Sequence, residues 1–331
     1  MSVKLSMRMI AAAALGGAML TSAAAQTKQT VVTFAGATNL PIWVAIDKGF
    51  FAREGLDVTQ EITRGSSPAM RGLMEGKYQL ASSALDNTIA IAEGQGDVKF
   101  DNFDVRAILG VHSGMNKIVS RPEVKSYADI KGKAIASDAL NSGYGLVLMK
   151  ILGMHGLALN KDYTALAVGS TPNRIAAMED GRAAAAVISP PEHLKLIKEG
   201  YNLLGDATEA IGAYQGSTII VRESWAKAHE PETLAFIRAQ VNATNYVFDD
   251  KAGSLAVMKK HIKGLSDEEL DSAYTEMVTS KGGLNKGARI NMDGVKMLLA
   301  LRNELSGSPV KLTDPSKYID LSWYDKAMGG K

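Results

Sequence analysis

Runs of β-branched and apolar residues alternate with helix-forming runs along this chain, and the series begins twice. Strand-like runs at 30–35, 56–62, 78–83 and 105–111 are separated by helix-like runs at 41–54, 68–75 and 88–93. The series restarts with strand-like runs at 117–120, 133–137, 163–168 and 183–188, and with helix-like runs at 144–155 and 172–180. A last strand-like run, 217–222, precedes an almost wholly helical region at 225–249, 253–262, 267–278 and 292–304. The tail from 309 to 331 reads as irregular. Strands that alternate with helices are covered on both faces, which predicts an α/β fold with mostly parallel sheets. The doubled series predicts two lobes. A length of 331 residues agrees, because single cores stop growing at about 250–300 residues.

The first 25 residues stand apart from this series. Lys4 and Arg8 precede an apolar stretch at 9–20, and Ala23-Ala24-Ala25 follows. A positive start, a short apolar run and a small-residue site define a secretory signal peptide. The stretch is too short for a membrane span, which needs about 20 apolar residues. Cleavage is expected after Ala25, with export to the periplasm in a Gram-negative cell. No later stretch reads as long and apolar enough to span. Loss of Lys4 and Arg8 brings the 37 basic residues level with the 35 acidic ones. A neutral chain lacks the basic surface that a nucleic-acid partner requires. The absence of cysteine excludes disulfides, thiolate metal sites and a cysteine nucleophile. The five histidines show no metal-binding spacing, and G-x-S-x-G, Walker A and G-x-G-x-x-G are all missing. No cofactor or metal is expected, and nothing in the sequence argues for an enzyme.

Two turns match each other across the halves. Gly65-Ser66-Ser67-Pro68 opens one helix and Gly169-Ser170-Thr171-Pro172 opens another. Each helix runs to a glycine, Gly76 or Gly181, before the next strand. Ser67 or Thr171 suits a helix cap and the proline suits the first turn. Helix N-termini also attract anions, and in open sheets such turns line the ligand crevice. Capping and anion binding both remain open for these turns, with Arg64 and Arg174 beside them as candidate partners of an oxyanion.

Other strand-to-helix turns are candidates by the same logic. They include Thr38-Asn39 with Trp43, Ser83 with Asp86, Asn141-Ser142 with Tyr144, and Ser189 before Pro190-Pro191-Glu192. His112 follows a strand, and Tyr214 precedes the strand that returns towards the first half. Trp43, Tyr144 and Tyr214 suit either a pocket wall or the core. Asp86 suits either a ligand amine or the cap of a helix beginning at Asn87.

The run Leu40-Pro-Ile-Trp-Val-Ala-Ile-Asp-Lys-Gly-Phe-Phe-Ala-Arg-Glu-Gly-Leu-Asp-Val58 resembles the opening signature of periplasmic solute-binding proteins for nitrate, sulfonate, taurine and thiamine-precursor uptake. The Gly-Ser turn, the run from Leu73 to Ala81 and Asp129-Ile-Lys-Gly-Lys-Ala-Ile135 continue that pattern in the same order. The resemblance implies a two-lobed periplasmic binding protein fold, shared with thiamine-pyrimidine synthases, with hinge crossovers and a ligand cleft. It implies lobe 1 at 26–112 and 215–331, with the helical C-terminal segment, and lobe 2 at 113–214. It also implies a monomer that hands a small-molecule ligand to an inner-membrane ABC permease. The turns at Thr38, Gly65, Ser83, Asn141, Gly169 and Ser189 match the family's cleft loops by position. Their chemistry favours a small organic anion, a sulfonate or carboxylate. The alternatives are a pyrimidine-precursor enzyme on the same scaffold, whose cysteine-rich motif is missing here, and a ligand-binding sensor subunit.

Overall fold

In a computed structural model the described residues are 26–114 and 116–330, so the leader lies outside them. The first half runs β1 (Thr27–Thr33), α1 (Leu40–Asp47), α2 (Phe50–Arg53), β2 (Leu56–Ile62), α3 (Ser66–Met74), β3 (Leu80–Ala84), α4 (Leu85–Ala92) and β4 (Val105–Gly110). The second runs β5 (Lys117–Ser120), β6 (Ala134–Ser137), α5 (Gly143–Met154), β7 (Thr164–Ala167), α6 (Thr171–Glu179), β8 (Ala185–Ile188), α7 (Glu192–Lys198), β9 (Asn202–Asp206) and α8 (Ala207–Ile211). The chain then returns through β10 (Ser217–Arg222). It closes with α9 (Glu223–Ala228), α10 (Glu230–Asp249), α11 (Lys251–His261), α12 (Asp267–Thr279), α13 (Met292–Leu305) and α14 (Ser322–Ala327).

Two five-stranded sheets result, in the orders β2-β1-β3-β10-β4 and β7-β6-β8-β5-β9. Both are mixed. In each, four strands point one way and one is reversed: β10 in the first sheet, β5 in the second. The reversed strand is in each case the one that has just crossed from the other sheet. A crossing chain enters at the opposite end of the sheet from a strand delivered by a βαβ turn, so its direction inverts.

The central strands are buried on both faces, whereas the edge strands β2, β7 and β9 are partly exposed. Val31, Leu80, Ile108 and Ile219 pack under α1 and α10–α12, whereas their neighbours Val32, Ala81, Ala107 and Ile220 face the other way. The second sheet repeats this, with Val119 and Ala186 on one face and Ile118 and Val187 on the other. Two-sided burial is what near-continuous apolar strands require. The inner faces of the two sheets share one continuous apolar cluster, which includes Val147 of α5 and Leu298 of α13.

Several local expectations change. The single helix expected at 41–54 is α1 followed by α2, because Gly49 (φ 72°) takes the left-handed conformation between them. The helix expected at 225–249 breaks at His229 into α9 and α10. The helix implied by the Ser189 turn is α7, the short elements β9 and α8 were not expected, and the irregular tail contains α14. Ser67 and Thr171 do not cap: the N-cap residues of α3 and α6 are Gly65 and Ser170, and neither makes a side-chain cap bond.

The two crossings run side by side. The Gly216 N–H donates to the His112 carbonyl (2.9 Å), as does Gln215 Nε2 (3.2 Å). A third segment pins both. Asn285 Nδ2 donates to Ser113 Oγ (3.1 Å), its Oδ1 accepts from Gln215 (3.3 Å), and Gln215 Oε1 accepts from the Asn291 N–H (2.7 Å). His112 is buried at this seam, and its Nδ1 accepts from the Gly114 N–H (3.1 Å). Burial pushes its pKa down to about 4. The folded state therefore holds a neutral imidazole that the unfolded chain protonates near pH 6.5. Its stabilising contribution is present above pH 6.5 and is lost as pH falls towards 4, by about 3 kcal/mol in all. Urea unfolding at pH 7, 5.5 and 4 is expected to show a smaller acid loss in His112→Asn than in the wild type. Equal losses would remove His112 as the cause.

Candidate functional site

The turns singled out in the sequence fall on two edges. At the first sheet, the loops after β1, β2, β3 and β4 share an edge with the start of β10, where Ser217 sits opposite Ala84 and Thr218 opposite Gly110. At the second, the ends of β6, β7 and β8 share an edge with Lys117 at the start of β5. The edges meet. A Cβ at Gly143, in the first turn of α5, would lie 2.5 Å from the Tyr214 hydroxyl and 2.7 Å from Asp86 Cβ. Only glycine permits that approach.

At this meeting point Asp86 is wholly buried and does not cap α4, whose N-cap is Ala84. It accepts from Arg302 of α13 through Nε (2.7 Å) and Nη2 (2.5 Å). Both residues are fully buried, and the pair also takes hold of the other edge. Arg302 donates to the Asn141 carbonyl (3.0 Å) and Oδ1 (3.3 Å), and to Gln95 Oε1 (2.8 Å). The Gly143 N–H donates to Asp86. Burial raises the Asp86 carboxyl despite Arg302. Burial, then the nearby Asp86 carboxylate, pushes the Tyr214 phenol well above its ordinary range. On another side, Glu276 of α12 meets Lys117 (2.7 Å) and His193 (3.1 Å) of the second sheet's half.

Beside this seam lies a second buried guanidinium. Arg174, in the first turn of α6, is 3% exposed. Its Nη2 donates to Thr171 Oγ1 (2.6 Å), but Nε and Nη1 have no partner. Asp138, Tyr144 and Glu192 are near enough to act on it electrostatically, yet none forms an ion pair with it. Burial lowers the Arg174 pKa, the three neighbours opposing. Burial raises Tyr144, and Asp138 adds to that, while Ser217 and Asn116 hydrogen-bond it. Asn116 Oδ1 is also buried without a partner. Burial raises Glu192.

Glu192 also lines a cleft of about 390 Å³ between the edges, opposite Gly36, Asn39, Trp43 and Gln60, with His261 and Lys263 at its rim. Trp43 stacks on His261 (4.8 Å) and donates through Nε1 to Gln60 (2.9 Å).

The remaining sequence candidates have local duties or stand apart. Ser142 caps α5 by accepting from the Gly145 N–H (3.0 Å) and donates to Asp138 (2.5 Å). Asn39 donates to the Phe34 carbonyl, and Ser66 accepts from Asn87. Ser83 is buried beside β10. Thr38, Ser67, Thr171 and Ser189 are half-buried at the edges. Arg64 and Ser170 are exposed, and Arg64 makes no ion pair among the described residues. Sequence reasoning passed over Arg302 and Asp138. Arg302 reads as a surface residue of an amphipathic helix and carries no local signal. Asp138 follows directly on β6, and a polar residue at a strand's end was the available clue. No cluster among the described residues has the composition of a metal site, and no described helix is long and apolar enough to cross a membrane.

Two facing α/β edges joined by paired crossings define the fold of periplasmic solute-binding proteins. The nitrate-binding protein NrtA of Synechocystis PCC 6803 superposes with a TM-score of 0.77 over 92% of this chain and 89% of its own, at 13% identity. The alkanesulfonate-binding protein SsuA of Xanthomonas axonopodis pv. citri, bound to MOPS, does so at 0.70 over 89% and 98%, at 18% identity. A family model described as NMT1/THI5 like matches residues 37–253, and the chain belongs to that family. A 4-amino-5-hydroxymethyl-2-methylpyrimidine phosphate synthase of Uromyces fabae is 26% identical over 66% of this chain. The matches span 63–65% of the length of the curated relatives.

Removing one member of the Asp86–Arg302 pair strands the other charge in the interior, a loss of about 3–5 kcal/mol. Asp86→Ala and Arg302→Met are each expected to destabilise by that order in urea unfolding. The double variant is expected to lose less than the sum of the two. Simple additivity would show that the pair is not coupled.

Proposed function

We propose that this chain is the exported solute-binding component of an ABC importer, capturing a small organic anion, a sulfonate or carboxylate, between two lobes. Lobe 1 comprises 26–112 and 215–331, and lobe 2 comprises 113–214. The reading rests above all on Arg174. Buried polar groups are almost always paired, and an unmet donor costs about 1–3 kcal/mol. A buried guanidinium with Nε and Nη1 unpartnered is a poor contributor to stability and a good receptor for an oxyanion, which it can grip through two donors. Thr171 holds it in place from the same helical turn. The partly buried Gly65 turn of α3 supplies a helix N-terminus at the edge of the first sheet.

A ligand that touches both lobes favours their closed arrangement over the open one. Closure here rotates the two edges about the paired crossings. The partner is an inner-membrane permease, and the protein works as a monomer after cleavage behind Ala25. The fold neighbours that bind nitrate and alkanesulfonate support this reading over an enzymatic one.

Thermal shift of the exported protein against sulfonates, nitrate, carboxylates and pyrimidines tests it. At 100 times the dissociation constant a ligand stabilises by about 2.7 kcal/mol. An acid that raises Tm and is recovered unchanged fits the proposal; one that is consumed points to an enzyme. Arg174→Gln is expected to weaken binding at least about tenfold while leaving the ligand-free Tm unchanged or higher. Normal binding by that variant sinks the anion reading.

A further inference from the structure

The ligand's second functional group can be read from the charges around Arg174, on the assumption that an oxyanion occupies that guanidinium. Asp138 and Glu192 both act electrostatically on Arg174, and neither pairs with it. One cation and two carboxylates share the site. A bound anion would bring a further negative charge into a desolvated region, and uncompensated buried charge is strongly unfavourable.

The other charged groups nearby are already committed. Asp86 and Arg302 satisfy each other. His193, the residue next to Glu192, gives its Nε2 to Glu276 (3.1 Å). His261 at the cleft rim is held by Asp47 (3.0 Å). Lys263 is exposed at the same rim, and its ammonium donates to the Lys259 carbonyl (3.3 Å). Asp138 accepts from the Ser137 (3.1 Å) and Ser142 (2.5 Å) hydroxyls. Asp138 takes both bonds on Oδ1, and the His193 Nδ1 is buried without a partner, so what sets Glu192 apart is its place in the cleft wall. Its carboxylate accepts only from its own backbone N–H, makes no ion pair among the described residues, and lines the interlobe cleft. It faces the cleft with open acceptor positions and lies within electrostatic reach of the unpartnered guanidinium.

We infer that the ligand carries a protonated amine as well as its acid group, with Glu192 receiving the amine and Arg174 the acid. Such a ligand adds no net charge to the site and satisfies both open side chains at once. Glu192 then sets specificity: it rejects a simple anion, which leaves a carboxylate buried without a counter-charge, and accepts the amino acid analogue of the same skeleton. Glu192 lines the cleft of about 390 Å³, a volume that suits a small molecule, while Arg174 is not part of that lining and acts on Glu192 from within the fold.

The test uses pairs of acids that differ only in the amine: taurine with ethanesulfonate, β-alanine with propionate, and 3-aminomethylbenzoate with 3-methylbenzoate. Binding to the exported protein is measured by calorimetry at pH 7. In at least one pair the amine-bearing member is expected to bind about tenfold more tightly or better. Glu192→Gln is expected to erase that difference, and Glu192→Asp, which keeps the charge, to retain it. Thermal unfolding confirms that the variants fold. The inference is overturned if the amine-free members bind equally well or better, if the preference survives in Glu192→Gln, or if no pair binds. Tight binding of an amine-free acid with proton uptake, read from two buffers of different ionisation enthalpy, overturns it too and makes Glu192 a proton acceptor. Arg174→Gln separates the two readings. If it binds both members like the wild type, the oxyanion site itself is misplaced. If it loses both while Glu192→Gln changes neither, only the amine assignment fails.

Discussion

Each sheet of this protein is completed by a strand that arrives from the other half of the chain, and most of the remaining architecture follows from that constraint. Because β5 and β10 are the reversed strands, the chain must cross twice, and it crosses in adjacent tracks. The crossings are held to each other by the bonds of Gly216 and Gln215 to His112. Backbone polar groups at such a seam have no ladder to join and must find partners elsewhere. The segment around Asn285 supplies them, since the Ser113 N–H donates to the Gly283 carbonyl (2.9 Å) and the Val111 carbonyl accepts from the Asn285 N–H (2.9 Å), and this draws the C-terminal helices into the joint. The joint is therefore built from three segments, and His112 is neutral there because nothing near it compensates a charge.

Two buried arginines show how the same side chain serves opposite ends. Arg302 directs its three nitrogens to Asp86, Gln95 and Asn141, so every N–H has an acceptor. It is a structural tie that reads across both edges. Arg174 is equally inaccessible, yet it has one partner, Thr171. A desolvated guanidinium with open donors costs stability, which an acceptor meeting those donors would recover. The difference lies in the neighbours that the fold supplies, since the side chains are identical.

The α/β class, the doubling and the order of most strands were legible because the central strands are apolar on both faces, β2 alternates, and many helices are followed by glycine. Gly49 was read as helical, because a glycine inside an apolar run does not announce whether it bends the chain. The paired Gly-Ser-Ser/Thr-Pro turns were correctly read as helix starts, but their hydroxyls do other work: Thr171 orients Arg174, and the N-caps are Gly65 and Ser170. Asp86 was read as a cap or a ligand contact because its partner lies on α13, far along the chain. The short elements β9 and α8 escaped notice because so few residues cannot display a period.

The sequence by itself determined the strand and helix order, the absence of cysteine chemistry, and the turns that end up on the two edges, since all of these depend on local composition and spacing. Tertiary structure alone decided which charges are satisfied. A carboxylate or guanidinium looks the same in sequence whether its partner is four residues or two hundred residues away. Burial fixes the cost of leaving it unpaired. The fates of Asp86, Arg174, Glu192 and Arg302 were therefore open until the halves of the chain came together.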